Sequence, residues 1–189
     1  MSPNRCAPLI AVALLVTLLT PAAAAAQPVN PLYRLVDTAA QRLATAEPVA
    51  ASKWITGGPI TDPQRANQVL DSVGADAGAH GIDPGYVRTV FTDQIAATEG
   101  IQYTRFGQWK FDPAAAPTTG PDLAESRSLI DGYTKTMVDE IALQWNSLHN
   151  PGCTPTVTAA TDAVAAARNL DPLYRHALRS ATRSYCRLT

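Results

Sequence analysis

At Asp62-Pro63, Asp83-Pro84, Thr154-Pro155 and Asp171-Pro172 this chain sets a short capping side chain directly before a proline that a helical pattern follows. A carboxylate or hydroxyl there accepts from the free N–H groups of a first helical turn. Proline suits the next position because its missing N–H has no partner in that turn. The punctuation predicts helix starts near 62, 83, 154 and 171. Leu32, Leu35, Val36, Ala39 and Leu43 share one face of a helix expected over 30–46. Glu47-Pro48 should interrupt it, since proline disfavours helical geometry in the residue before it, with a further turn or two reaching Trp54. Ala66, Val69, Leu70, Val73 and Ala77 line the second major helix, and Val87, Val90, Phe91, Ile95, Thr98 and Ile101 the third. Residues 111–121, FDPAAAPTTGP, read as a loop. A long helix follows over 122–148, with Leu123, Ile130, Tyr133, Met137, Ile141 and Trp145 near helical spacing, and Asn150-Pro151-Gly152 ends it. No segment sustains strand alternation, no repeat appears, and heptads are too irregular for a coiled coil. The expected fold class is all-α, a helical bundle of five to seven helices.

Residues 1–26 read as a secretory signal peptide. Arg5 supplies the positive start, Leu9 to Leu19 an apolar run too short to span a bilayer, and Ala24-Ala25-Ala26 a small-residue cleavage site. A membrane anchor is disfavoured because no stop-transfer flank follows, and Cys6 precedes the apolar run, which disfavours a lipoprotein linkage. The domain is then 27–189, about 163 residues and long enough to bury a full core. Its expected location is secreted or periplasmic, with no membrane association after cleavage. The net charge of −1 supplies no basic field for nucleic acid or an anionic membrane. Cys153 and Cys186 remain as an even pair in an oxidising compartment, where a disulfide is the favoured reading over a metal or redox pair. A bridge closing that loop contributes about 3–4 kcal/mol in the chain-entropy model.

Catalytic fingerprints are few. His80, His149 and His176 lie in no metal-ligand spacing, and no GxSxG, P-loop or dinucleotide motif appears. Neither a metal nor a cofactor is expected. Trp54, Trp109 and Trp145 read as core anchors rather than a ligand cage. What remains is a set of cations on apolar or alanine-rich helices: Arg42, Lys53, Arg65 and Arg127. Asp62 is three residues before Arg65, on the same helical face, where its carboxylate is expected to orient the guanidinium. Taken singly, each cation reads as a solvated surface charge. Periodicity alone cannot make them converge.

The stretch QRLATAEPVAASKW, followed by DPQRANQVL, DQIAATEGIQYTRFGQWK and DLAESRSLIDGY, resembles the all-helical (type II-like) chorismate mutases. The likeness is greatest to their exported γ-subclass, which carries a signal peptide and a C-terminal disulfide. Arg42 precedes Lys53 by eleven residues, Lys53 precedes Asp62 by nine, and Asp62 precedes Arg65 by three. The resemblance covers nearly the whole mature chain. It implies that Arg42, Arg65 and Arg127 hold the two carboxylates of chorismate, and that Lys53 reaches the ether oxygen and a carboxylate. By the same likeness Asp62 lies near the ring hydroxyl, Thr98 helps bind a carboxylate, and Gln102 donates to the ether oxygen. Lys53 and Gln102 are thus the catalytic pair. The implied product is prephenate, formed without cofactor or covalent intermediate, and the implied partner is a second copy in a homodimer with a complete site in each protomer. Two positions depart from the pattern. Many exported relatives have Glu where this chain has Gln102. Val69 stands where some have a polar amide, and the adjacent Gln68 points about 100° away on an ideal helix. The rival reading from another class is a non-catalytic exported bundle that binds an anion, a lipid or a host protein, for which the cations would scatter over the solvent face.

Overall fold

The computed structural model describes residues 30–187. The expected signal peptide lies outside them. Eight α-helices follow in order: α1 Tyr33–Ala44, α2 Ala46–Thr56, α3 Pro63–Ala79, α4 Pro84–Phe111, α5 Leu123–Leu143, α6 Trp145–Leu148, α7 Cys153–Ala167 and α8 Pro172–Ala181. Seven of them have ten residues or more, α6 is a single turn, and no strand occurs among the described residues. The all-helical bundle is as expected.

Three of the four proline-marked starts form as the sequence implies. Asp62 accepts from the Arg65 N–H, Asp83 from the N–H groups of Gly85 and Tyr86, and Asp171 from that of Tyr174, each with proline next in the chain. The fourth differs. α7 begins at Cys153, so Pro155 is its third residue and Thr154 caps nothing. Pro48 holds the same place in α2, which Thr45 and not Glu47 separates from α1. The reason is common to both. No N–H in a first turn has a helical acceptor, so proline fits any of its positions. The first ladder bonds come one residue later, from Val49 to Thr45 and from Thr156 to Gly152. The long helix expected over 122–148 is also divided. It stops at Leu143, and Gln144 leaves helical geometry before the single turn of α6.

α1 is the central element. Leu35, Val36, Ala39 and Leu43 are 0–1% exposed, and α1 packs against α5, α7 and α8. α4 crosses beside it against α2, α3 and α8. Trp54 of α2 meets Phe106 and Trp109 of α4 edge-on at ring distances of 5.2 and 5.6 Å, which seats α2 on α4. Trp145 packs edge-on against Tyr86, so the tryptophans anchor helices to one another as expected. The Cys153–Cys186 disulfide joins the start of α7 to the C-terminal segment. His80 lies at the surface beside Asp139, His149 stacks on Trp145 after α6, and His176 is exposed.

Candidate active site

Five helices converge on one cavity of about 160 Å³. Every residue carried over by resemblance lines it: Arg42 from α1, Lys53 from α2, Asp62 and Arg65 from the start of α3, Thr98 and Gln102 from α4, and Arg127 from α5. The apolar walls include Val49, Ile60, Val69, Ile95 and Ile130. The cations do not scatter. Four cationic side chains and two carboxylates, Asp62 and Glu99, face the same space, so its net charge complements a dianion.

Each side chain is placed by its element. Arg42 lies one turn beyond Ala39 on the buried face of α1 and is only 5% exposed. Its Nε donates to Thr134 Oγ1 at 3.1 Å, and its guanidinium lies 5.7 Å from the Phe91 ring centroid. Burial pushes its pKa down to about 10, opposed by the nearby Asp131 carboxylate, so it remains a cation at neutral pH. Lys53 Nζ donates to the Ile60 carbonyl at 2.8 Å and to Gln102 Oε1 at 3.1 Å. Burial lowers its pKa from the ordinary lysine value, while Asp62 and Glu99 counteract that. The loop between α2 and α3 is therefore tied to the ammonium. It begins at Gly57, whose φ of 72° ends α2 in the left-handed region that glycine adopts without cost.

Gln102 is 3% exposed. An ammonium on its oxygen fixes which way the amide faces, and the Nε2 end keeps its donors. Thr98, one turn earlier, donates its hydroxyl to the Gln94 carbonyl at 2.8 Å and would have to rotate to donate to a ligand. Asp62 differs from expectation. Its carboxylate accepts from the Arg65 backbone N–H, whereas the Arg65 guanidinium pairs with Asp131 at 3.1 Å. Capping geometry directs the Asp62 oxygens at backbone donors, and α5 brings a carboxylate to the far end of the arginine instead. Arg127 is exposed at the rim, facing both the cavity and a polar depression formed with Asp62, Gln64, Arg65 and Gln68. Val69 forms part of the wall, while Gln68 lies in that outer depression and not in the cavity, as its helical angle implies.

Glu99, Asp131 and Thr134 are polar residues of the site that the sequence does not single out. Glu99 is the neighbour of Thr98 on a helix already read as substrate-facing, which is a usable signal. Asp131 and Thr134 offer none, because their partners come from other helices. The approach of the α4–α5 connection to Lys53 was also hidden. A Cβ at Gly120 would fall 2.8 Å from Ser52 Cα, so this glycine lets the chain cross α2 beside the lysine.

Fold and cavity together define an all-helical protein with a cationic pocket matched to a small dianion. Residues 33–103 match the family model for chorismate mutase type II. The chain is 60% identical over 164 residues to a secreted chorismate mutase of Mycolicibacterium smegmatis, covering 87% of this chain and 91% of that protein. It is 46% identical over 172 residues to a secreted chorismate mutase of Mycobacterium tuberculosis, covering 91% and 86% respectively. The crystal structure of a chorismate mutase from Burkholderia phymatum superposes with a TM-score of 0.79 at 30% identity, covering 84% of this chain and 97% of that one. The chain belongs to the chorismate mutase family, among its secreted members.

Proposed function

We propose that this chorismate mutase rearranges chorismate to prephenate in the α1–α5 cavity, with Lys53 and Gln102 acting on the breaking C–O bond. The observation that carries the reading is the pairing of Lys53 Nζ with Gln102 Oε1 at 3.1 Å inside a wall of arginines. The reaction is a [3,3] rearrangement in which one C–O bond breaks and one C–C bond forms, with no net proton or electron transfer. Such chemistry asks for two things: a dianion held in a compact, chair-like conformer, and stabilisation of the negative charge that grows on the ether oxygen. Arg42, Arg65 and Arg127 serve the first. Their planar forks bind carboxylates bidentately, so they fix geometry as well as charge. Thr98 assists at a carboxylate, and Asp62 sits near the ring hydroxyl.

Lys53 and Gln102 serve the second. The ammonium and the free end of the amide both donate toward the oxygen as its charge develops. They are preorganised by each other and by the Ile60 carbonyl, so little reorganisation is needed at the moment of reaction. An acceleration of about 10⁶ needs only about 8 kcal/mol from these effects. Neither a covalent intermediate nor a cofactor enters the scheme.

Arg42, Lys53, Asp62, Arg65, Thr98, Gln102 and Arg127 meet in one cavity of this chain, which supports the reading that each protomer of a homodimer holds a complete site. On the same reading residues 1–26 direct export and are then removed. The direct test of the function is loss of chorismate and appearance of prephenate on adding purified protein. A folded chain that leaves chorismate unchanged beyond the uncatalysed rate contradicts the proposal.

A further inference from the structure

α5 carries two polar residues that take no part in lining the cavity yet hold residues that do. Asp131 Oδ1 accepts from Arg65 Nη2, which belongs to α3, at 3.1 Å. Thr134, three residues further along α5, accepts from Arg42 Nε, which belongs to α1, at 3.1 Å. Arg127 stands one turn before Asp131 on the same helix. A single helix thus supplies one carboxylate-binding arginine directly and holds the other two.

We propose that Asp131 is a positioning residue that sets the Arg65 guanidinium for the substrate's carboxylates and balances the paired charges of Arg65 and Arg42. This rests on the reading of those arginines as carboxylate holders. Three observations favour positioning over competition with the substrate. Arg65 gives Asp131 only Nη2, so Nε and Nη1 remain available to a second carboxylate. Arg42 is buried and close enough to Arg65 for the two to repel, and Asp131 is the foremost group opposing the burial cost of the Arg42 charge. Arg65 is also 41% exposed on a long, rotamer-rich side chain. Without its partner it turns into solvent and must be ordered again each time substrate binds. The Asp131 side chain is itself 65% exposed, so its pair adds little to the stability of the fold. Positioning and folding are therefore separable by experiment.

The experiment measures KM, kcat and Tm for the wild type, Asp131→Asn, Asp131→Glu and Arg65→Ala. Asp131→Asn is expected to raise KM about three- to fivefold with kcat within about twofold of wild type, the size expected for an exposed ion pair. Its Tm should stay close to that of the wild type, and Asp131→Glu should bring KM most of the way back down to the wild-type value. A folded Asp131→Asn protein with unchanged or lowered KM overturns the role, as does an Asp131→Glu variant no better than the Asn one. Arg65→Ala separates the two levels of the argument. If it raises KM while Asp131→Asn does not, the role of Asp131 alone fails. If Arg65→Ala also leaves KM unchanged, the reading of the cavity fails and this role with it.

Discussion

The ether oxygen of chorismate is an acceptor, so a partner at Gln102 must donate to it, and a glutamine amide does so at any pH. The wild-type kcat/KM should therefore stay flat from about pH 5 to 8. On the alkaline side it should fall as Lys53 loses its proton. Burial lowers that pKa, so the fall begins at lower pH than for a free lysine. Gln102→Glu should behave differently. Glutamic acid donates only while protonated, and its reference pKa of about 4.3 leaves it ionised at neutral pH unless the site raises it. Activity of that variant should drop with rising pH within the range where the wild type is flat, as the carboxylate forms and repels the ether oxygen. Both profiles measured in one buffer series decide the matter. An equally steep loss in the wild type would exclude Gln102 as the donor.

At the scale of the helices, the caps are energetically local and the site is not. Asp83 accepts from two N–H groups at the start of α4, several turns before Thr98 and Gln102. Asp83→Ala should cost about 1 kcal/mol of stability, read as a lower urea midpoint, with kcat unchanged. The same contrast explains what the sequence revealed. Asp-Pro caps are legible because donor and acceptor lie within four residues of each other. The break expected at Glu47 and the cap expected at Thr154 each lie two residues beyond the observed ones, at Thr45 and Gly152, because a first turn accepts proline at more than one position. The order and spacing of Arg42, Lys53, Asp62 and Arg65 carried the family likeness, but their convergence depends on how α1 to α5 pack. Asp131 was invisible for that reason. Nothing near it in the chain announces Arg65, which is reached only across the α3–α5 contact. The expected Asp62–Arg65 side-chain pairing failed on the same point, since a local neighbour was preferred to a distant partner that the sequence did not display.

Over the whole molecule, the Cys153–Cys186 bond fastens the C-terminal segment to α7, on a part of the bundle that contributes no wall to the cavity. Replacing both cysteines by serine should lower Tm, by an amount set by about 3–4 kcal/mol of lost constraint on the unfolded chain. The fraction that remains folded should retain kcat. Mass spectrometry of the exported protein should find the two thiols joined and the mature chain starting near residue 27.

The central claim is that Lys53 stabilises charge in the transition state, and turnover of the Lys53→Ala variant tests it most directly. An interaction made chiefly in the transition state lowers kcat when removed, and not merely KM. With the circular dichroism of the folded wild type retained, Lys53→Ala should convert chorismate with a kcat reduced by more than about tenfold. A folded Lys53→Ala protein with near wild-type turnover would contradict the account.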